Sequence, residues 1–297
     1  MYHTPVLLKE SIEALRINPD GIYVDLTFGG GGHSREIFSR LKQGRLVAFD
    51  CDDDAEANLI DDDRFLFISQ NFRYFKNFLK YYKAFPVDGI IADLGVSSHQ
   101  FDSAERGFSI RFDGPLDLRM DKTLGKTAAD IINTYSQNDL IHVFSHYGEI
   151  ENTKKLVAVI LEKRKTEGIK SIPEFKDTIT SCIPKNKEFS YLARVFQALR
   201  IEVNDELSAL RDMLKQSADC LKQGGILVVI TYHSLEDRMV KNFFRTGNME
   251  GKPEKDFYGN IICPFNAMNR KPILPSEEEV LRNNRSRSAK MRIAEKK

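Results

Sequence analysis

No stretch of this 297-residue sequence approaches the ~18 consecutive apolar residues of a membrane-spanning helix, and the N-terminus MYHTPVLLKE lacks the long apolar core of a signal peptide. The cytoplasm, with no membrane partner, is therefore the expected setting. Cysteine is scarce: Cys51, Cys182, Cys220 and Cys263 lie far apart without a C-x-x-C pair, which excludes a zinc cage or a disulfide framework and leaves reduced structural thiols. An H-E-x-x-H pattern is also missing, so no metal is expected even though His142 and His146 share one helix face at i, i+4. Low-complexity tracts and internal repeats are absent. So is any charge excess, since 44 basic residues nearly cancel 43 acidic ones. What remains is an ordinary globular composition, 41% hydrophobic and 29% charged, long enough for one large α/β domain or a medium domain carrying an insertion.

Charge is more informative in its distribution. Residues 281–297 hold seven basic residues (Arg282, Arg285, Arg287, Lys290, Arg292, Lys296, Lys297) against the single acid Glu295. Lys154, Lys155, Lys163, Arg164, Lys165 and Lys170 form a second concentration. Segments of this kind neutralise phosphates in a salt-sensitive way, or they are solvated helix faces and loose tails.

Short apolar runs at residues 21–28, 45–50, 64–69 and 87–94 read as buried parallel strands, with helical patterns at 34–42 and 72–82 between them. That alternation predicts a doubly wound α/β sheet. A fifth strand, at 225–231, arrives only after a long helix-like stretch at 193–221. Between the fourth and fifth strands lie helical segments at 128–133, 138–144, 153–165 and 174–181 and no convincing strand. The expected division is an α/β domain from residues 1–106 and 197–297, interrupted by a helical domain at 107–196.

The first strand ends in Asp25-Leu26-Thr27-Phe28, then Gly29 to Gly32, then His33-Ser34 opening a helix. Glycines let the backbone turn sharply and approach a ligand, and the helix N-terminus presents free N–H groups. The second strand ends in Asp50, whose carboxylate can accept from both hydroxyls of a ribose. A dinucleotide would bring a pyrophosphate to this loop, and Asp25 would repel it. S-adenosylmethionine instead brings a sulfonium cation, so the pattern favours the methyl donor. Past the third strand, Gln70-Asn71-Phe72 offers an aromatic face for adenine and an amide for its exocyclic edge, although Phe72 is equally readable as core.

The segments HTPVLL (from His3), DLTFGGGGHS (from Asp25), DLGVSSHQFDSAERGFSIRFDGPLDLRMD (from Asp93), RVFQALRIEVNDEL (from Arg194), YHSLEDRMVK (from Tyr232) and NRSRSAKMR (from Asn284) resemble the bacterial 16S ribosomal RNA cytosine-N4 methyltransferases of the MraW type. The resemblance spans nearly the whole chain. It implies a class I, Rossmann-like S-adenosylmethionine-dependent methyltransferase fold with an inserted helical domain. It further implies a target cytidine in the decoding region of the small ribosomal subunit, and donor contacts at Gly31, Gly32, His33, Asp50, Phe72, Asp93 and Gln100. Two departures stand out: His99 replaces the usual proline, and Ser190-Tyr191-Leu192-Ala193-Arg194 replaces an HPATR lead into the helix after the insertion.

Cytosine N4 is a poor nucleophile because its lone pair is delocalised into the ring, so positioned acceptors are needed to favour pyramidal nitrogen. The (Asp/Asn/Ser)-Pro-Pro-aromatic motif of many amine methyltransferases is absent; Asp93-Leu94-Gly95-Val96-Ser97-Ser98 stands in its place. Candidates for holding the base are Asp113, Asp117 and Arg119 in one cluster and Tyr232 and His233 in another. Asp117 with Arg119 reads equally as an ion pair fixing a turn, and His233 as a structural histidine. The residues leave open a DNA or small-molecule methyltransferase, a non-catalytic RNA-binding relative, and either a monomer or a homodimer.

Overall fold

The computed structural model describes residues 5–123 and 125–297, so His3 and Thr4 of the HTPVLL segment lie outside the described residues. The chain divides into two compact units, one made of Met1–Gly95 with Leu207–Lys297, the other of Val96–Glu206.

The first unit is built on seven strands: β1 (Ile22–Asp25), β2 (Arg45–Asp50), β3 (Phe65–Ser69), β4 (Val87–Asp93), β5 (Leu221–Thr231), β6 (Phe265–Ala267) and β7 (Lys290–Lys296). Their order is β3-β2-β1-β4-β5-β7-β6. The first five run parallel, while β7 pairs antiparallel with both β5 and β6. Apolar side chains alternate between the two faces because successive residues of a strand point opposite ways. Val24, Val47, Phe49, Leu227 and Val229 join one buried cluster with Phe75 and Leu79 of the helix Phe75–Tyr81 and Leu210, Met213 and Leu214 of the helix Glu206–Cys220. Tyr23, Leu46, Ile226, Val228 and Ile230 join the other, with Ile12 and Leu15 of the helix Leu8–Leu15 and Ile37 of the helix Gly32–Ser39. Burial on both faces is why these strands read as nearly continuous apolar runs. This is the class I methyltransferase architecture, and its strand order reverses between β1 and β4.

The second unit is helical, with Ala128–Thr134, Gln137–His142, a π turn at Val143–Tyr147, Thr153–Thr166, Ile172–Ile179 and Glu188–Asn204. Capping sets several starts: Thr127 pairs with Asp130, and Ser171 with Glu174, each closing a capping box. Ile131, Phe144, Leu156, Ile160, Phe175, Val195 and Leu199 form its own core.

Three features differ from the sequence expectation. The unit boundaries fall at Gly95/Val96 and Glu206/Leu207 instead of 106/107 and 196/197, because Val96 and Phe101 pack on the helical core and Glu188–Asn204 is one unbroken helix. The single helix expected at 193–221 is two, divided at Asp205, whose φ of 49° is left-handed and ends the helical ladder. Finally, the basic tail is not loose. Residues 290–296 form β7, Met291 and Ala294 are fully buried, and Arg292 is 5% exposed. Its guanidinium donates from Nε to Asp237 Oδ1 at 2.6 Å and from Nη2 to Oδ2 at 3.1 Å. This arginine serves the fold and not a phosphate.

Removing one partner of such a bidentate, largely desolvated pair leaves the other charge uncompensated and costs about 3 kcal/mol. Arg292→Ala should therefore lower the unfolding free energy by about that much in urea denaturation. A loss below about 0.5 kcal/mol would mean that the pair is solvated and the tail peripheral.

Candidate active site

The carboxyl ends of β1, β2 and β4 lie side by side, because Asp25 is in register with Ala48 of β2 and with Ile91 of β4. Open α/β sheets bind ligands outside these ends, where the strand order reverses. Asp25 closes β1. It is 1% exposed, and its Oδ2 accepts from Ser34 Oγ at 2.7 Å while Oδ1 accepts from the Thr27 N–H at 3.1 Å. Burial raises its pKa against the pull of those two bonds. Thr27 Oγ1 accepts from the Asp93 N–H at 2.7 Å and so ties the β1 loop to the end of β4.

The glycine run is fixed from several sides. Gly29 N–H donates to Asp50 Oδ2 at 2.7 Å, Gly31 N–H to Phe28 O at 2.7 Å, and Arg35 Nη1 to Gly30 O at 2.6 Å. Gly31 has φ 72° at the cap of the helix Gly32–Ser39, a conformation that a side chain disfavours. At Gly32 an added Cβ would stand 2.0 Å from Pro5 Cγ. Glycine is required at these two positions for different reasons, one conformational and one steric.

Asp50, half-buried at the end of β2, accepts from Gly29 and also from the Asp52 N–H at 2.9 Å. Each oxygen keeps a further lone pair, which suits two adjacent ribose hydroxyls. Burial pushes its pKa up to about 6, with Asp52 and Asp25 adding repulsion. The His33 ring is buried and Nε2–H donates to Val6 O at 3.1 Å; desolvation lowers its pKa to about 4, so it is neutral near pH 7. What His33 offers the loop is its place in the helix's first turn, where N–H groups lack helical partners.

On the β4 side, Asp93 has a side chain 21% exposed, and its Oδ1 accepts from the Tyr232 phenol at 2.8 Å. Burial pushes its pKa up to about 7, Tyr232 opposes the rise, and Asp25, Glu236 and Glu279 add to it. Buried Glu236 fixes the turn after β5: its Oε2 accepts from the N–H groups of Tyr232 at 2.9 Å and His233 at 3.3 Å. The buried His233 ring places Nε2 3.2 Å from Glu236 Oε1, yet neither ring nitrogen finds a well-aligned hydrogen bond among the described residues.

The structure thus brings Gly31, Gly32, His33, Asp50, Asp93, Tyr232 and His233 together on one unit. Phe72 belongs to the same unit, in the turn Phe72–Tyr74, half-buried against the cluster that holds Phe49 and Phe75. Beside it, the Asn71 amide oxygen accepts from the Arg73 N–H at 2.9 Å. Gln100, Asp113, Asp117 and Arg119 fall in the other unit. There Gln100 is 4% exposed and its Oε1 accepts from the Ser97 N–H at 3.0 Å, closing a capping box on the helix Ser98–Asp102. Asp117 and Arg119 form a bidentate ion pair, 2.7 and 2.8 Å. Asp113 is exposed. His142 and His146 stack on each other, ring centroids 4.2 Å apart. Sequence reasoning missed Thr27, Ser34, Glu236 and Glu279. The Asp25-x-Thr27 spacing hinted at a local turn, and Ser34 and Glu236 likewise act close in sequence, nine residues from Asp25 and four from Tyr232. Glu279, by contrast, is 272 positions from the Leu7 N–H it accepts from.

Gly32→Ala should cost about 1–3 kcal/mol of stability by thermal denaturation, as overpacking against a constrained proline does. Gly125→Ala, with open space around it, should change stability by less than about 0.5 kcal/mol. Equal effects at the two positions would refute the steric account.

S-adenosylmethionine fits this arrangement, since its cationic sulfonium is welcome beside a carboxylate array that would repel a pyrophosphate, and its ribose suits Asp50. The MraW methylase family matches the chain over residues 1–297. A protein of Bacteroides fragilis named Ribosomal RNA small subunit methyltransferase H is 58% identical, covering 100% of this chain and 98% of its own length. Proteins with the same name from Cytophaga hutchinsonii and Flavobacterium johnsoniae are 54% and 51% identical, covering 100% and 99% of this chain and 100% and 98% of their own lengths. A full-length family match, a class I strand order and a site suited to the sulfonium donor converge: this chain belongs to the MraW methylase family, enzymes that take their methyl group from S-adenosylmethionine.

Proposed function

We propose that this protein methylates the exocyclic N4 amine of a cytidine in the decoding region of 16S ribosomal RNA. The observation that carries the RNA class is the full-length identity of 58% to proteins named for the small-subunit RNA. The segments from Asp93 and from Tyr232, which resemble cytosine-N4 enzymes, support the atom. Gly31, Gly32, His33, Asp50, Phe72 and Asp93 hold the donor in this reading, and Tyr232 and His233 border the base. The bound donor supplies an electrophilic methyl group. The protein's part is to orient the amine behind it and to exclude water.

The inserted helical unit is the RNA-recognising part, and of the basic concentration in its sequence Lys154, Lys165 and Lys170 are exposed while several members also have protein partners. Arg164 is spent on the carbonyls of Ile132 and Tyr135 at 2.9 and 2.8 Å, and Lys155 on Ser181 O. Lys163 pairs with Glu167 at 3.0 Å and Lys165 with Glu162 at 2.7 Å. The stretch 184–190 is exposed throughout and carries Lys185, Lys187 and a Phe189 that is 64% exposed. Cations beside an exposed aromatic suit phosphates and unstacked bases.

Nucleoside analysis of small subunits and free RNA, incubated with the enzyme and labelled donor, tests the activity. N4-methylcytidine is expected, and label on another atom or on neither substrate overturns the proposal. Lys185→Glu with Lys187→Glu should raise the KM for RNA about tenfold and flatten its salt dependence, with donor affinity unaltered. An unchanged salt slope would remove this stretch from the interface. For the donor, ribose hydroxyls bind ionised Asp50, so affinity should fall as pH drops through about 6. Asp50→Ala should weaken binding at least tenfold in calorimetry and erase that pH dependence. A folded variant that binds as the parent does would take Asp50 out of the site.

A further inference from the structure

Methylation at N4 leaves a proton to be disposed of, and the carboxylates at the sheet's edge are unequal candidates for taking it. Asp25 is 1% exposed and saturated by Ser34 and Thr27. Glu236 is 2% exposed and holds two backbone N–H groups. Asp50 stands on β2, where it braces Gly29. Asp93 differs from all three. Its side chain is 21% exposed, Oδ1 is held by the Tyr232 phenol at 2.8 Å, and Oδ2 lies 3.9 Å from His33 Nδ1, beyond hydrogen-bonding reach.

The geometry points to Asp93 as the group that takes the N4 proton through Oδ2, with Tyr232 as the positioning residue that keeps Asp93 oriented and ionised. This assignment rests on the cytosine-N4 reading above. The steps balance as follows. The N4 lone pair forms the new nitrogen–carbon bond, while the electrons of the methyl–sulfur bond leave with sulfur. N4 then carries a positive charge; one N–H bond breaks, its electrons return to nitrogen, and the proton passes to Oδ2 and later to water.

The groups that face Asp93 explain why a tyrosine is needed. Asp25 at the end of β1, Glu236 in the helix Ser234–Thr246 and Glu279 in the helix Glu277–Arg282 all disfavour its charge, as burial does. His33, in the helix Gly32–Ser39, is uncharged at neutral pH and brings no relief. The Tyr232 phenol is the group that favours the anion, and burial beside Asp93 keeps the phenol itself protonated. Remove the phenol and Asp93 should be neutral over a wider pH range, unable to accept a proton.

Single-turnover methylation, followed from pH 5.5 to 9 at saturating donor, tests this directly. The parent rate should rise with pH through about 7. Tyr232→Phe should move that rise about one pH unit higher, giving about a tenfold deficit at pH 6 that narrows to about twofold or less at pH 9. Asp93→Asn should lose about a hundredfold at every pH, even when donor is raised to saturation. Calorimetry of donor binding and thermal melting accompany both variants. Three results overturn the assignment: a Tyr232→Phe deficit equal at all pH values, an Asp93→Asn rate restored by excess donor, or a parent rate flat across the range. Failure of the underlying reading looks different, since the parent would then form no N4-methylcytidine at any pH.

Discussion

Asp25, Asp50 and Asp93 end three neighbouring parallel strands, and the site is organised around the crowding of these carboxylates. Parallel strands bring their carboxyl ends to one edge of the sheet, so three acids in the same sequence role become neighbours in space. Burial raises all three, and the charge of Asp25 adds to the rise at Asp50 and Asp93. For Asp50 and Asp93, held near 6 and 7, the folded protein binds protons that the unfolded chain has released. The associated stability is complete below about pH 4 and is lost as pH rises through those values. Near neutral pH the fold therefore carries electrostatic tension that a cationic ligand relieves, so the cost to stability and the affinity for a sulfonium share one origin.

The backbone converts that tension into a defined loop. Asp50 accepts from Gly29, Thr27 accepts from Asp93, and Asp25 accepts from Ser34 at the start of the next helix. Each bond crosses between elements, so the loop is held by β2, β4 and its own helix at once. The glycines then have little freedom left: one occupies a left-handed conformation, and the other lies against Pro5.

Several arginines of this chain are used inside the fold. Arg292 pairs with Asp237 beneath β7, Arg164 caps two carbonyls, and Arg119 closes on Asp117. Arginine suits such roles because its planar fork satisfies several acceptors at once.

The sequence by itself determined the five parallel strands, the glycine loop, Asp50 at the end of β2 and the helical character of the insertion. Each is written in local signals: apolar runs buried on both faces, glycines before a helix start, and helical periodicity without strand patterns. Tertiary structure alone decided the rest. The C-terminal strand was illegible because Lys290, Arg292, Glu295 and Lys296 interrupt its apolar pattern, and only pairing with β5 and the Asp237 counter-charge make it a strand. The break at Asp205 gave no proline or glycine warning. The bond between Tyr232 and Asp93 joins residues 139 positions apart, and no spacing rule connects them. Local propensity reaches a few residues along the chain, whereas hydrogen bonds and charge coupling between strand ends depend on the order in which the sheet assembles.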